Sequence, residues 1–332
     1  MNILFCTNRN PHFLTITEYV ESALRQLGHQ VRFHDDRNFR LPGRLRRLLP
    51  PLERWELGRI NRGLLDGAAA FGPDLVLVAG GHRIFPDTVR RLAAKDIATA
   101  LWTIDAPINF APVLAAAPRY DHVFCGGSEA IDLLAAAGVR ATWLPFACDA
   151  EMHRPASIDD DDRKCYGSRI CTVGSFYPNR LAAIEQLADF DVRAWGPGWQ
   201  RLDACHPLAA RCTGGELPPA VWKKIFQASD IVLVVHYQDG RTPCRQASPK
   251  IYEAMACGAF VLSDDQPDVT AQFDAGVHLD VFRDPDELRR KAAWYLDHPE
   301  ERRRIAAAGQ QLVRSRHTYT ERMGRLLARI GG

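Results

Sequence analysis

Ser248-Pro249-Lys250-Ile251-Tyr252-Glu253-Ala254-Met255-Ala256-Cys257-Gly258, continuing into Ala259-Phe260-Val261-Leu262-Ser263, reads as a short helix that stops at a glycine and runs at once into a buried strand. Pro249 suits the first helical turn, where its missing N–H is no loss. Gly258 suits the left-handed cap that ends the helix. Ala259 to Leu262 is an apolar run of strand length. Lys250 lies in the first turn, where free backbone N–H groups and the helix dipole favour an anion. Glu253 lies one turn on, on the same face. A helix start with a lysine suits a diphosphate, and a carboxylate one turn later suits sugar hydroxyls. Ser248, at the cap, joins this set. The combination points to a nucleotide-sugar site.

Outward from this unit, short apolar runs alternate with helical patterns. In the first half the expected strands are 2–7, 30–34, 74–79, 98–104, 122–125 and 141–144, with helices over 12–27, 87–94 and 129–137. In the second half the strands are 169–174, 192–195, 231–235, 259–263 and 278–282. Helices are expected there over 180–188, 220–228, 250–257 and 285–296, followed by a basic helical tail. Continuous apolar strands alternating with helices imply parallel sheets covered on both faces. The fold class is α/β, with two doubly wound, Rossmann-like domains facing a cleft. The expected division is an acceptor domain over 1–150, a linker over 151–168, a nucleotide-sugar domain over 169–312 and a final helix over 313–332 that crosses back to the first domain. The run Asp159-Asp160-Asp161-Asp162 reads as part of a solvated linker, because neighbouring like charges repel and extend the chain.

With 332 residues, 46% hydrophobic and 25% charged, the chain has ordinary globular composition. A net charge of +2 argues against a dedicated nucleic-acid binder. No apolar run reaches the length of a membrane span, and the start reads as a first strand, not a signal peptide. The nine cysteines form no C-x-x-C pair, which fits reduced thiols in a cytoplasmic enzyme.

Several segments in order carry a likeness to a known group. They are Pro73-Asp74-Leu75-Val76-Leu77-Val78, Trp102-Thr103-Ile104-Asp105-Ala106-Pro107 and Leu144-Pro145-Phe146-Ala147-Cys148-Asp149 in the first half. In the second half they are Thr172-Val173-Gly174-Ser175-Phe176-Tyr177-Pro178-Asn179-Arg180, Trp195-Gly196-Pro197-Gly198-Trp199, the 248–258 helix and the tail around Arg304–Gly309 and His317–Arg322. The chain resembles the GT-B glycosyltransferases, and among them the spore maturation protein CgeB group. Its second half is similar, more distantly, to glycosyltransferase family 4. The resemblance implies transfer of a sugar from a nucleotide-diphosphate donor, held by the second domain, to an acceptor glycan, protein or small molecule. It implies no metal and no cofactor beyond the donor itself.

The resemblance casts Glu253 as the ribose ligand, in keeping with a carboxylate that accepts from two vicinal hydroxyls. Lys250 and Arg180 are the expected diphosphate ligands. Gly174 and Ser175 let backbone approach the donor, and Trp195 and Gly196 shape its pocket. Glu216 and Leu217 fall where the fold reads the base. Family 4 enzymes carry a glutamate eight positions before the ribose-binding one. Here Arg245 stands in that place, so the retaining mechanism does not transfer directly. Arg245 offers either a contact to the donor or a solvated loop. Asp105, after the fourth strand, is a candidate general base or a helix cap. His82, after Gly80-Gly81, is a second candidate polar contact.

Arginines 37, 40, 44, 46, 47, 54, 59 and 62 are interleaved with leucines. Such a segment suits weak membrane-surface contact or an acidic acceptor. Pro42, Pro50 and Pro51 interrupt any long amphipathic helix, so a partly disordered insertion or a mobile acceptor loop is expected. The expected location is cytoplasmic, with peripheral contact to the inner membrane face as the further option. Two alternatives to a transferase stay open: a non-catalytic nucleotide-sugar or coat-associated protein, and a nucleotide-sugar epimerase.

Overall fold

In the computed structural model the described residues are 1–11 and 14–331. His12 and Phe13, with which the expected first helix begins, and Gly332 lie outside the described residues. The chain divides into two units, Met1–Pro145 with Arg322–Gly332, and Phe146–Glu321.

The first unit runs β1 (Asn2–Thr7), α1 (Ile16–Gln26), β2 (Gln30–Asp35), α2 (Gly43–Leu48), α3 (Pro50–Phe71), β3 (Leu75–Ala79), α4 (Pro86–Ala93), β4 (Ala98–Thr103), α5 (Ala111–Ala116), β5 (His122–Cys125), α6 (Glu129–Ala136) and β6 (Thr142–Trp143). Its sheet has the order β2-β1-β3-β4-β5-β6. Every pairing is parallel, with Ile3 opposite both Val31 and Leu75. All of β3 is buried, as a strand covered on both faces must be.

The second unit continues with α7 (Asp160–Tyr166), β7 (Ser168–Val173), α8 (Pro178–Glu185), β8 (Val192–Gly196), β9 (Cys212–Gly214), α9 (Pro219–Gln227), β10 (Ser229–Val234), α10 (Pro249–Ala256), β11 (Val261–Asp264), α11 (Pro267–Thr270), β12 (Asp280–Phe282), α12 (Pro285–Asp297) and α13 (Pro299–Arg316). The last helix is α14 (Tyr319–Gly331). The second sheet is also parallel and six-stranded, in the order β12-β11-β10-β7-β8-β9. Ile170, Ile231, Leu233 and Leu262 are buried in its core. Burying each such side chain is worth about 1.5–3 kcal/mol.

Three expectations need correction. The 37–62 segment is largely helical, although its helices α2 and α3 are parted at Leu49, before Pro50. Pro50 and Pro51 start α3, in the turn where a missing N–H is tolerated. The 151–168 stretch is no loose tether, since His153 is fully buried and α7 packs on α9 through Lys224 Nζ, 2.8 Å from Asp162 Oδ1. The aspartate run is a helix start. Asp159 Oδ1 accepts from the Asp162 N–H at 2.8 Å, and Asp162 reaches back to the Asp159 N–H at 3.4 Å. Acidic residues in that first turn also suit the helix dipole.

Candidate functional site

The second sheet reverses direction between β7 and β10, where the chain leaves toward β8 and β9 and later returns toward β11 and β12. In a doubly wound sheet the strand ends at such a switch point splay and leave a crevice for a ligand. Gly174-Ser175 follows β7 here, and Val235-His236 follows β10.

Arg180 ties these two ends together. Its Nε and Nη2 donate to the Val235 carbonyl at 3.2 and 2.6 Å, and Nη1 donates to the Ser175 carbonyl. The side chain is buried, and its guanidinium carbon lies 4.9 Å from the centre of the Tyr177 ring. The expectation of an open fork at the end of a strand is therefore revised. Three of its N–H groups hold carbonyls, because both strand ends leave acceptors that need donors. Asn179 adds a bond from Nδ2 to the His236 carbonyl at 2.6 Å.

Gly174 and Gly196 lie side by side at the ends of β7 and β8, at φ 153° and 138°. A Cβ on Gly196 would fall on the Gly174 carbonyl oxygen. That oxygen accepts from Trp199 Nε1 at 2.9 Å. Trp195 is buried, and its Nε1 has no partner among the described residues. Glu216 is exposed and Leu217 half-buried, just after Gly215. Arg245 is exposed, and its carbonyl accepts from the Asp268 N–H at 3.1 Å.

The start of α10 is fixed by a group the sequence reading missed. The Ser248 N–H donates to His236 Nε2 at 2.9 Å. A backbone N–H can only donate, so Nε2 is unprotonated and the proton sits on Nδ1. Nδ1 lies 2.6 Å from Asp264 Oδ1, which also accepts from the His236 N–H at 3.0 Å. Gln266 Nε2 donates to the other oxygen at 2.9 Å. Burial of Asp264 opposes its ionisation. His236 and Gln266 outweigh that and hold its carboxyl below the usual value. His236 and Asp264 each follow an apolar strand run, the position that had singled out Arg180, so the same rule could have found them.

Lys250 and Glu253 meet directly in an ion pair, with the Glu253 side chain 6% exposed and that of Lys250 29%. Lys250 Nζ also lies 4.8 Å from the centre of the Trp222 ring. Burial pushes the Glu253 carboxyl upward, but the Lys250 ammonium overrides this and keeps it below its ordinary value. Less of the anion site rests on free amides than expected. Pro249 has no N–H, and the Lys250 N–H is already directed at Ser248 Oγ, 3.3 Å away. The lysine and the helix dipole remain as the positive elements.

His153 was also missed. It is fully buried beside Trp222, with ring centres 5.5 Å apart, and its Nδ1 accepts from the Asp149 N–H at 2.9 Å. Burial depresses its pKa to about 4, against the opposing pull of Glu253, so it is neutral at ordinary pH. Nothing in the spacing around His153 marks it out.

In the first unit Asp105 is exposed in the bend after β4, and His82 is half-buried in the turn after β3. Among the described residues neither side chain has a hydrogen-bond partner. Both stand at carboxyl ends of strands.

The two parallel six-stranded sheets are those of the GT-B fold. Residues 179–328 match the family model described as glycosyl transferase-like. The chain is similar to the spore protein CgeB of Bacillus subtilis (strain 168), with 23% identity over 273 residues, 78% of this chain and 83% of that one. In fold it is similar to sucrose-phosphate synthase from Thermosynechococcus elongatus, at TM-score 0.72 and 12% identity over 99% of this chain and 98% of that one. It is also similar to HepE of Anabaena, solved with UDP and glucose, at TM-score 0.67 and 15% identity over 100% of this chain and 99% of that one.

Proposed function

We propose that this protein transfers a sugar from a nucleoside-diphosphate sugar to a hydroxyl acceptor. The observation that carries the reading is the buried, ionised Glu253 beside Lys250 on a helix that starts at the switch-point crevice. Glu253 accepts from the two ribose hydroxyls. Lys250 swings from Glu253 to the diphosphate, with the α10 dipole behind it. The leaving diphosphate gains negative charge as the glycosidic bond breaks, and a preorganised cation there lowers the barrier. In this reading protein charge meets that need without a resident metal. Gly174 and Gly196 leave room for the donor to approach backbone, and Arg180 holds the ends of β7 and β10 together. Glu216 and Leu217 serve the base, and Arg245 the phosphates or the sugar. Asp105 is assigned as base for the acceptor hydroxyl, with His82 as a polar contact to the acceptor. The binding of UDP by HepE supports a uridine donor as the first to try.

The test is release of nucleoside diphosphate from a panel of UDP-, GDP- and ADP-sugars, with and without simple glycoside acceptors. Acceptor-dependent release that collapses in Glu253→Gln and Asp105→Asn supports the proposal. Sugar isomerisation without transfer points to the epimerase alternative. A chain that binds the donors and never turns them over is the non-catalytic alternative.

A further inference from the structure

The segment that the transferase reading leaves unused is the arginine-rich stretch ahead of and within α2 and α3. Residues 37–62 carry eight arginines against Glu53 and Glu56, a balance of +6 in a chain whose total is +2. Both carboxylates are already paired. Glu56 is fully buried, accepts from the Arg40 and Leu41 N–H groups at 2.7 Å each, and pairs with Arg59 at 2.9 Å. Glu53 pairs with Arg46 at 2.6 Å, while the Arg46 guanidinium lies 3.5 Å from the centre of the Phe39 ring. These bonds hold the segment in one shape. They leave Arg37, Arg40, Arg44, Arg47, Arg54 and Arg62 exposed, with no ion-pair partner among the described residues.

Between these arginines stand apolar side chains that the chain does not cover. Helix α2 buries none of its residues. Leu45, Leu48 and Leu49 are 46%, 75% and 52% exposed, and Trp55 in the first turns of α3 is 50% exposed. The three leucines are spaced i, i+3, i+4 and so share one face, with Arg44 and Arg47 beside it. Among the described residues, four of the nine exposed large hydrophobic side chains fall within these eleven residues.

We propose that this surface docks the protein on an anionic lipid bilayer, with Leu45, Leu48, Leu49 and Trp55 entering the headgroup boundary and the free arginines meeting lipid phosphates. The charge selects the occupant. A second copy would bring +6 against +6, and like charges repel. A purely acidic protein face answers the arginines but leaves the leucines wet. An anionic bilayer answers both, and tryptophan suits its interface. The role is independent of the donor site.

The test is flotation of the full chain with extruded vesicles of phosphatidylcholine alone and of phosphatidylcholine mixed with phosphatidylglycerol, at low and at physiological salt. Wild type should float with the anionic vesicles only, and more weakly as salt rises. Arg44→Gln with Arg47→Gln should cut partitioning about 25-fold, from roughly fivefold per basic residue. Leu48→Ser with Leu49→Ser should cut it roughly tenfold or more while leaving the thermal melt unchanged, since both side chains are already exposed. Absence of binding to anionic vesicles overturns the proposal, as does equal binding by either double variant. Retention on a soluble polyanion such as heparin with no vesicle binding would instead mark an acidic-acceptor surface. A dimer abolished by the leucine changes would mark a self-contact and overturn it equally.

Discussion

Replacing Lys250 with methionine breaks the Lys250–Glu253 pair at the centre of the proposed donor site. Glu253 is buried, and its carboxyl lies below its ordinary value chiefly because Lys250 outweighs the cost of burial. A folded pKa below the unfolded one contributes stability that is full above about pH 4.5 and fades as pH falls through the folded value. In Lys250→Met the burial is unopposed and the sign reverses. The folded protein must then take up a proton, either on Glu253 or on the adjacent His153, whose own depressed pKa Lys250 helps maintain. By either route folded protein binds more protons than unfolded protein, so the variant loses stability as pH rises. Breaking a buried pair costs about 3–5 kcal/mol, and the partial exposure of Lys250 favours the lower end. The expected deficit is about 3 kcal/mol at pH 7.5, falling at roughly 1.4 kcal/mol per pH unit to well under about 1 kcal/mol at pH 5.5. In thermal unfolding the pH 7.5 deficit is roughly 6–12 °C for a unit of this size. Lys250→Met with Glu253→Met replaces the pair by apolar volume and should recover to within about 1 kcal/mol of wild type. Urea titrations at the two pH values read both effects. A single-variant deficit under about 1 kcal/mol that does not change with pH would refute the buried-pair reasoning.

Other consequences follow from the same geometry. Because burial holds His153 near 4, wild-type stability should fall by about 3 kcal/mol between pH 6.5 and 4 from this group, and His153→Phe should flatten that slope in urea titrations. His236→Ala removes the acceptor of the Ser248 N–H and the ring partner of buried Asp264, and should cost about 2–4 kcal/mol by chemical denaturation. Gly196→Ala places a methyl on the Gly174 carbonyl oxygen at a φ of 138°, and should lower soluble yield or stability more than Gly28→Ala, whose Cβ would meet nothing within 4 Å. Cys165 and Cys205 are exposed and should react with a thiol reagent in native protein ahead of buried Cys6, Cys125, Cys148, Cys171 and Cys257.

Much of the fold was legible because its strands are buried on both faces. The bounds of β1 and β5 coincide with their apolar runs, and α10 with β11 emerges almost as read. Strand β9 was not legible, because three residues, Cys212-Thr213-Gly214, none of them buried, show no periodicity. The 22-residue helix α3 was hidden by prolines that mark its beginning but look like breaks when read alone. In the site, Lys250 and Glu253 stand three residues apart on one helix, so local spacing reveals them. The bonds of Arg180 to Val235 and of His236 to Ser248 depend on strand order, which no local window contains. The likeness to known glycosyltransferases supplied the donor-site vocabulary. The packing supplied which of those side chains have hydrogen bonds left to give.

In the proposed function Glu253 and Lys250 hold a nucleoside diphosphate at the β7–β10 switch point. A crystal structure of the protein soaked with UDP, or with whichever of UDP, GDP and ADP binds tightest, tests it most directly. The ribose hydroxyls are expected on the Glu253 carboxylate, with Lys250 Nζ turned from Glu253 to the phosphates. A nucleotide bound elsewhere, or a Lys250–Glu253 pair left unbroken beneath it, would rule out this donor site.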